Sequence, residues 1–253
     1  MNVSSNGDSP LLSRVRVWLP ARRSRGPAPA YDRDQIADAA IEIADADGLD
    51  AVTMRAVAAR LGTGAMSLYR YVENKDALFE LMSDRMLGRQ DWPPLTGDWR
   101  QDLRDVARGQ RRALLEHPWL LRVWSGGPTL GPNMLAGFER AMSIVDGLGL
   151  DIDEMLETVT LVHTWVNGHV RTELDARAYF GGATQEEVQR AMGPYVESIV
   201  ESGRYPYLSR MIAEAGSLHL DEEERFERAL ERFLAGIEAT LPKGKEPGGR
   251  DSE

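Results

Sequence analysis

No stretch of this sequence alternates apolar and polar residues long enough to make a strand. Apolar positions recur instead at helical spacing, between residues that cap helices and residues that break them. Asp32 can cap a first helix carrying Ile36, Ala40, Ile43 and Ala44 on one face, with Gly48 ending the run. Thr53 caps a second, "MRAVAARL", closed by Gly62, and the short "AMSLYRYV" makes a third. Asn74 caps a fourth, along which Leu78, Met82 and Met86 line one face. Trp92-Pro93-Pro94 then interrupts the pattern and marks a domain boundary. Beyond it come an amphipathic helix stopped by Pro118 and another in "GPNMLAGFERAMSIVDGLG". The longest helix starts at Asp153 and reaches about Phe180, and two more are capped by Thr184 and Asp221.

The expectation is an all-α chain in four parts. Residues 1–30 form a flexible basic arm, and residues 31–91 a three-helix head containing a helix-turn-helix. Residues 92–242 form a larger helical regulatory and dimerisation domain, and residues 243–253 a polar tail. Cysteine is absent, which removes disulfides and thiolate chemistry. No apolar run is long enough to span a membrane, because His163, Asn167 and His169 interrupt the best one, and no secretory h-region opens the chain. A cytoplasmic protein is expected.

The net charge is −10, yet the basic residues are not scattered. The first 30 residues carry five arginines against one aspartate. Between Thr53 and Lys75, Arg55, Arg60, Arg70 and Lys75 face only Glu73, a net +3. The acidic residues Asp32, Asp34, Asp38, Glu42, Asp45, Asp47 and Asp50 gather on a separate face, expected to point away from a polyanion.

Residues 53–72 have the pattern of a helix-turn-helix. Ala58 is small where a second helix must approach, and Gly62 supplies the left-handed turn. Val57, Leu61, Leu68 and Val72 are spaced to lock the two helices together. In this motif the second helix enters a DNA major groove while its flanks meet phosphates. Tyr69, Tyr71 and Lys75 would donate to phosphate oxygens, and Thr53 offers a hydroxyl at a helix N-terminus. Arg55 can fork onto a guanine edge. Thr63, Ser67 and Arg70 complete the candidate set. Packing beneath the motif is the competing reading for the tyrosines, Tyr69 above all, since it neighbours Leu68 and Phe79.

At "VTMRAVAARLGTGAMSLYRYVENKDALFELM" the chain resembles the DNA-binding segment of the tetracycline-repressor (TetR) family of bacterial transcriptional regulators. The Thr-x-Arg opening, the Leu-Gly turn, Leu-Tyr-x-x-Val and Asn-Lys-x-x-Leu agree in order and spacing. "WRQDLRDVARGQRRALLEHPWL" and "VDGLGLDIDEML" resemble the regulatory domain of the subgroup around the tetracycline repressor itself. The resemblance implies a homodimer reading a palindromic double-stranded operator, with repression relieved by a small ligand. By the motif match, Thr53, Arg55, Ser67, Tyr69, Tyr71 and Lys75 fall where the family contacts DNA. One departure matters. The tetracycline-binding member places a magnesium-coordinating histidine where this chain has Trp124, in "VWSGGPT", so magnesium-tetracycline is not the expected effector.

For a small, mostly apolar effector the candidate lining is Trp119, Trp124, Phe138, Met142, His163, Trp165, Asn167 and Arg171. Aromatic and methionine residues at such spacing also suit plain core. Polar groups embedded in an apolar helix, however, need partners. Val159, Val166, Leu230, Phe233, Leu234 and Ile237 are the candidate dimer interface, with packing inside one chain as the competing reading. No metal set is expected, because His163 and His169 lie six residues apart and diverge. The sequence holds no GxSxG, Walker or strand-linked GxGxxG motif, so no cofactor and no catalytic residue is expected. A helical enzyme sharing only the head, or a DNA-free adaptor, are the alternatives.

Overall fold

Asp32, Thr53 and Asn74 each accept a hydrogen bond from the third residue of the helix they open, so the local capping chemistry of the sequence is realised. The computed structural model describes residues 10–19, 31–124, 130–181, 183–214 and 221–242. Among them the chain is all-α, with twelve α-helices and no strand.

The head comprises α2 (Arg33–Asp47), α3 (Met54–Arg60), the single turn α4 (Ala65–Leu68) and the start of α5 (Lys75–Gly88). The expected helix "AMSLYRYV" is shorter than its pattern, since the backbone turns out of α4 at Tyr69 and Tyr71 donates back to Leu68. Gly62 sits at φ +69°, where a side chain would be strained. Val57, Ala58, Leu68 and Val72 are sealed beneath it and Leu61 packs against them, as the spacing requires.

α5 leaves the head and runs into the second domain, and it is buried on two sides. Leu78, Met82 and Met86 take one side, while Glu80, Ser83 and Asp84 are equally buried on the other. The regulatory domain follows as α6 (Trp99–Glu116), α7 (Leu120–Trp124), α8 (Pro132–Val145), α9 (Ile152–Phe180), α10 (Gln185–Glu201), α11 (Pro206–Glu214) and α12 (Glu222–Thr240). α9 begins one turn-position earlier than expected. It starts at Ile152 rather than Asp153, because Asp151 and Glu154 close a reciprocal capping box.

α6 holds α12 through a row of ion pairs. Arg104 meets Glu231 at 2.6 Å and Arg108 meets Glu227 at 2.7 Å. Arg111 and Glu173 form a pair buried from solvent at 3.2 Å, and the Arg111 guanidinium also lies over the Phe226 ring. Between these pairs the apolar stripe of α12 turns inward.

A flexible arm over residues 1–30 does not hold for residues 10–19. Pro10–Arg16 is a helix, α1, which packs on α5 with Ser13 and Val17 buried. Arg14 and Arg16 are committed to Glu80 and Glu73. The other three arginines of that stretch, and the polar tail from residue 243, lie outside the described residues.

Candidate functional site

The helix-turn-helix presents most of its candidate residues outward. Thr53, Arg55, Arg70 and Lys75 are exposed, Thr63 and Ser67 are half-buried, and Tyr69 is 46% exposed. Packing was the competing reading for both tyrosines. Tyr69 points outward, whereas Tyr71 is partly buried against the core. The Thr53 hydroxyl accepts from Ala56 at 3.1 Å and remains free to donate.

The charge around the motif is selective. Arg60 is tied to Glu42 by its Nε at 2.9 Å, so it is neutralised at home. Arg55 and Arg70 have no intramolecular partner among the described residues. Lys75 rests its ammonium 5.2 Å from the Phe79 ring centre, which fixes the stem while leaving the charge outward.

The acidic face of α2 does more than avoid a polyanion. Asp38 accepts from Arg85 and Arg89, both at 2.7 Å, and the Arg85 hydrogen bond holds its carboxyl below the usual range. Asp45 accepts from the Trp119 indole at 2.7 Å and lies 2.7 Å from His117 Nδ1. Asp50 pairs with Arg122 at 3.0 Å. Asp38 ties α2 to the end of α5, while Asp45 and Asp50 clamp the head to the end of α6 and to α7. Sequence reasoning missed this role because clustered carboxylates on a helix read as a solvated face.

The eight expected effector residues separate into different places. Trp119 is buried at the head clamp and is not free for a ligand. Trp165 faces α12, stacked on Phe233 at 5.0 Å and close to Phe226, because residues two apart on a helix point nearly oppositely. Arg171 is at the surface, so it cannot select an acidic ligand inside the domain.

What remains is Trp124, Phe138, Met142, His163 and Asn167, on α7, α8 and α9. Trp124 lies 6.0 Å from His163, ring centre to ring centre, and its indole donates to Ser83 of α5 at 2.9 Å. Phe138 is 40% exposed and Met142 half-buried on the same face of α8.

Asn167 is held by protein at both ends of its amide. Its Nδ2 faces His163 Nε2 at 2.9 Å and its Oδ1 accepts from Gln110 at 3.0 Å. Burial pushes the His163 imidazole below its ordinary value, and because Nε2 faces the donating Asn167 Nδ2, the neutral ring accepts there and carries its proton on Nδ1. Gln110 was not foreseen. Its signal was a lone amide at a core position of α6, between Ala107 and Leu114.

The expected interface residues also divide. Val166, Leu230 and Leu234 have no surface left, and Ile237 very little, because α6, α9 and α12 of one chain already enclose them. They are corrected from interface to core. Val159 and Phe233 keep partial exposure, beside an open row on α9 made by Leu161, Thr164, Gly168 and Thr172.

Residues 36–82 match the family described as bacterial regulatory proteins, tetR family, and residues 93–241 match the tetracyclin repressor-like C-terminal domain. A similar protein is the HTH-type transcriptional repressor DrrR1 of Streptomyces coeruleorubidus. It is 37% identical over 230 residues, which is 89% of this chain and 84% of the relative. Among solved structures, apo ActR from Streptomyces coelicolor is 32% identical with a TM-score of 0.69, over 85% of this chain and 97% of that one. ActR in complex with actinorhodin is 32% identical with a TM-score of 0.68, over 83% and 97%.

Proposed function

The chain belongs to the tetR family of bacterial regulatory proteins, and on that premise we propose how it works as a dimeric, ligand-responsive transcriptional repressor in the cytoplasm. Each head lays α3 and the α4 turn against one half of a palindromic operator. Arg55 reads a base edge, while Thr53, Ser67, Tyr69, Arg70 and Lys75 reach phosphates and Thr63 and Tyr71 support the turn. The observation that carries this reading is the division of charge within the head. Arg60 and the α2 carboxylates Asp34, Asp38, Glu42 and Asp45 are paired internally, whereas Arg55 and Arg70 are left outward on the helix-turn-helix.

Two copies associate through α9 and α12, using Val159, Phe233 and the open row around Gly168. The effector is a small, mostly apolar molecule held without metal near Trp124, Phe138, Met142 and His163. Asn167 and Gln110 orient His163 rather than meeting the ligand directly. Actinorhodin, bound by the similar ActR, is a suitable first probe, read by quenching of tryptophan fluorescence. A Trp124→Phe variant should weaken quenching and leave DNA binding intact.

The deciding experiment retrieves operator fragments from genomic DNA with the purified protein and then titrates two variants. Lys75→Ala should weaken binding to every sequence and reduce the salt slope by about one. Arg55→Ala should cost ~1–3 kcal/mol and relax preference at one base position per half-site. Equal losses on specific and random DNA in both variants would refute this division of labour.

A further inference from the structure

Glu80 is 1% exposed, and its carboxylate is shared between two parts of the chain that no sequence pattern connects. From the N-terminal side, Arg14 Nε donates to Oε2 at 3.0 Å and Trp18 Nε1 donates to Oε1 at 3.0 Å. From the regulatory side, the Leu130 backbone N–H donates to the same Oε1 at 2.6 Å. One turn further along α5, Asp84 accepts the backbone N–H groups of Asn133 and Met134, both at 2.9 Å. Between them, Ser83 accepts from Trp124. One face of α5 thus receives α1, the last residue of α7 and the entry to α8.

We propose that Glu80 is a positioning residue that makes α1 a strap, through which the segment ahead of the head sets the entry to α8 and thereby the effector response. A buried carboxylate requires several donors to offset its lost hydration. Here it has three, two of which come from α1 and the turn that follows it. Deprived of Arg14 and Trp18, it would keep a single N–H and would gain by rotating toward water, which breaks its bond to Leu130. The position of Leu130 therefore depends on residues more than a hundred positions earlier in the chain. Ser13 and Val17 keep α1 seated, and Arg33 donates to Leu19 O at 3.4 Å where the strap ends. Arg14 is spent on the buried Glu80, whereas Arg16 meets Glu73 at 3.6 Å on the surface. Through Arg14 and Trp18 the strap acts on the entry to the regulatory domain.

The strap also sets a cost for induction. Motion of the α7–α8 region relative to α5 must stretch the Leu130 bond while Glu80 is held from the other side. Loosening the strap lowers that cost, so less effector is needed. This last consequence rests on the effector region proposed above.

The test uses the full chain with Arg14→Met and Trp18→Phe together, which removes both donors and keeps volume and helix. Amide hydrogen exchange is expected to accelerate at Leu130 by about tenfold or more. The Asn133 and Met134 amides, held by Asp84, should keep their rates. An unchanged Leu130 overturns the proposal, and so does equal acceleration of all three amides, since that is general loosening. Deleting residues 1–19 gives the same reading if the double variant folds poorly. Actinorhodin titrations of both proteins should show half-saturation at lower concentration for the variant. A wild-type protein that does not bind actinorhodin would count against the effector reading, while the exchange result still decides the strap.

Discussion

Gly131 stands where a side chain has no room: a Cβ built there would lie 2.1 Å from Asp84 Oδ1. The close approach lets Asp84 cap the start of α8 by accepting from Asn133 and Met134. Gly131→Ala should therefore displace Asp84 and destabilise the protein by about 1–3 kcal/mol. Gly137→Ala, in the same helix with open space around the new methyl group, should gain about 0.5–1 kcal/mol. Denaturant titration distinguishes the two, and equal effects would mean that α8 responds only to helix propensity. The second residue-scale prediction concerns protonation. Burial lowers the folded pKa of His163, and of His169 with help from the Arg111 and Arg225 charges. The unfolded chain then binds protons more readily once pH falls below about 6.5, so stability is intact above that pH and declines below it. Melting temperature should drop between pH 7.5 and pH 5.5 by more in wild type than in His163→Gln, which can still accept from Asn167. Burial raises Asp84, which acts in the opposite sense, but Asp84 is common to both proteins, so the comparison with His163→Gln isolates the histidine.

At the scale of elements, the face that α9 offers to a second copy can be tested with little disturbance to the monomer. Gly168 has no atom near a prospective Cβ within its own chain, so Gly168→Glu should be neutral or slightly favourable to the isolated helix. If this face meets its copy across the dimer, the same change buries a charge and sedimentation should show monomers with unchanged circular dichroism. A persistent dimer would move the interface away from Gly168. The head elements were legible in the sequence because their determinants are local: Asp32, Thr53 and Asn74 cap, and Gly62 turns. α1 was not, because its arginines resembled a disordered tail and concealed the pairing of Trp18 and Arg14 with one distant carboxylate. The inward turn of α12 was equally hidden. Its apolar stripe alone fits either a partner or its own chain, and only the pairing of Arg104 and Arg108 with Glu231 and Glu227 fixes which way it faces. The buried roles of Glu80 and Asp84 on α5 were hidden in the same way, since their partners come from segments 50 and 49 residues away.

Across the whole molecule, a signal from the effector region must reach the head through parts that are stiff and directly bonded. α7 meets both requirements. It ends at Trp124 beside His163, and the preceding corner contributes Trp119 and His117 to Asp45 of α2. Arg122 of α7 adds its pair with Asp50, but both of those side chains are largely exposed, so that contact contributes little. The bond between Asp45 and the buried Trp119 indole is the stronger mechanical link, because breaking it strands a buried N–H. A ligand that moves Trp124 would thus move α2 through Asp45, changing how the head presents α3 and α4. Asp45→Ala should leave operator affinity without effector within about threefold of wild type, yet weaken effector-driven release by about tenfold or more. Coupling is reciprocal, so operator DNA should also lose most of its power to weaken effector binding in that variant. Arg122→Ala should change neither quantity appreciably. Both affinities can be measured in one experiment, by titrating actinorhodin into the protein with and without a retrieved operator fragment. Normal release by Asp45→Ala would show that the signal travels along α5 instead, and would leave the Asp45 clamp as a support for the head alone.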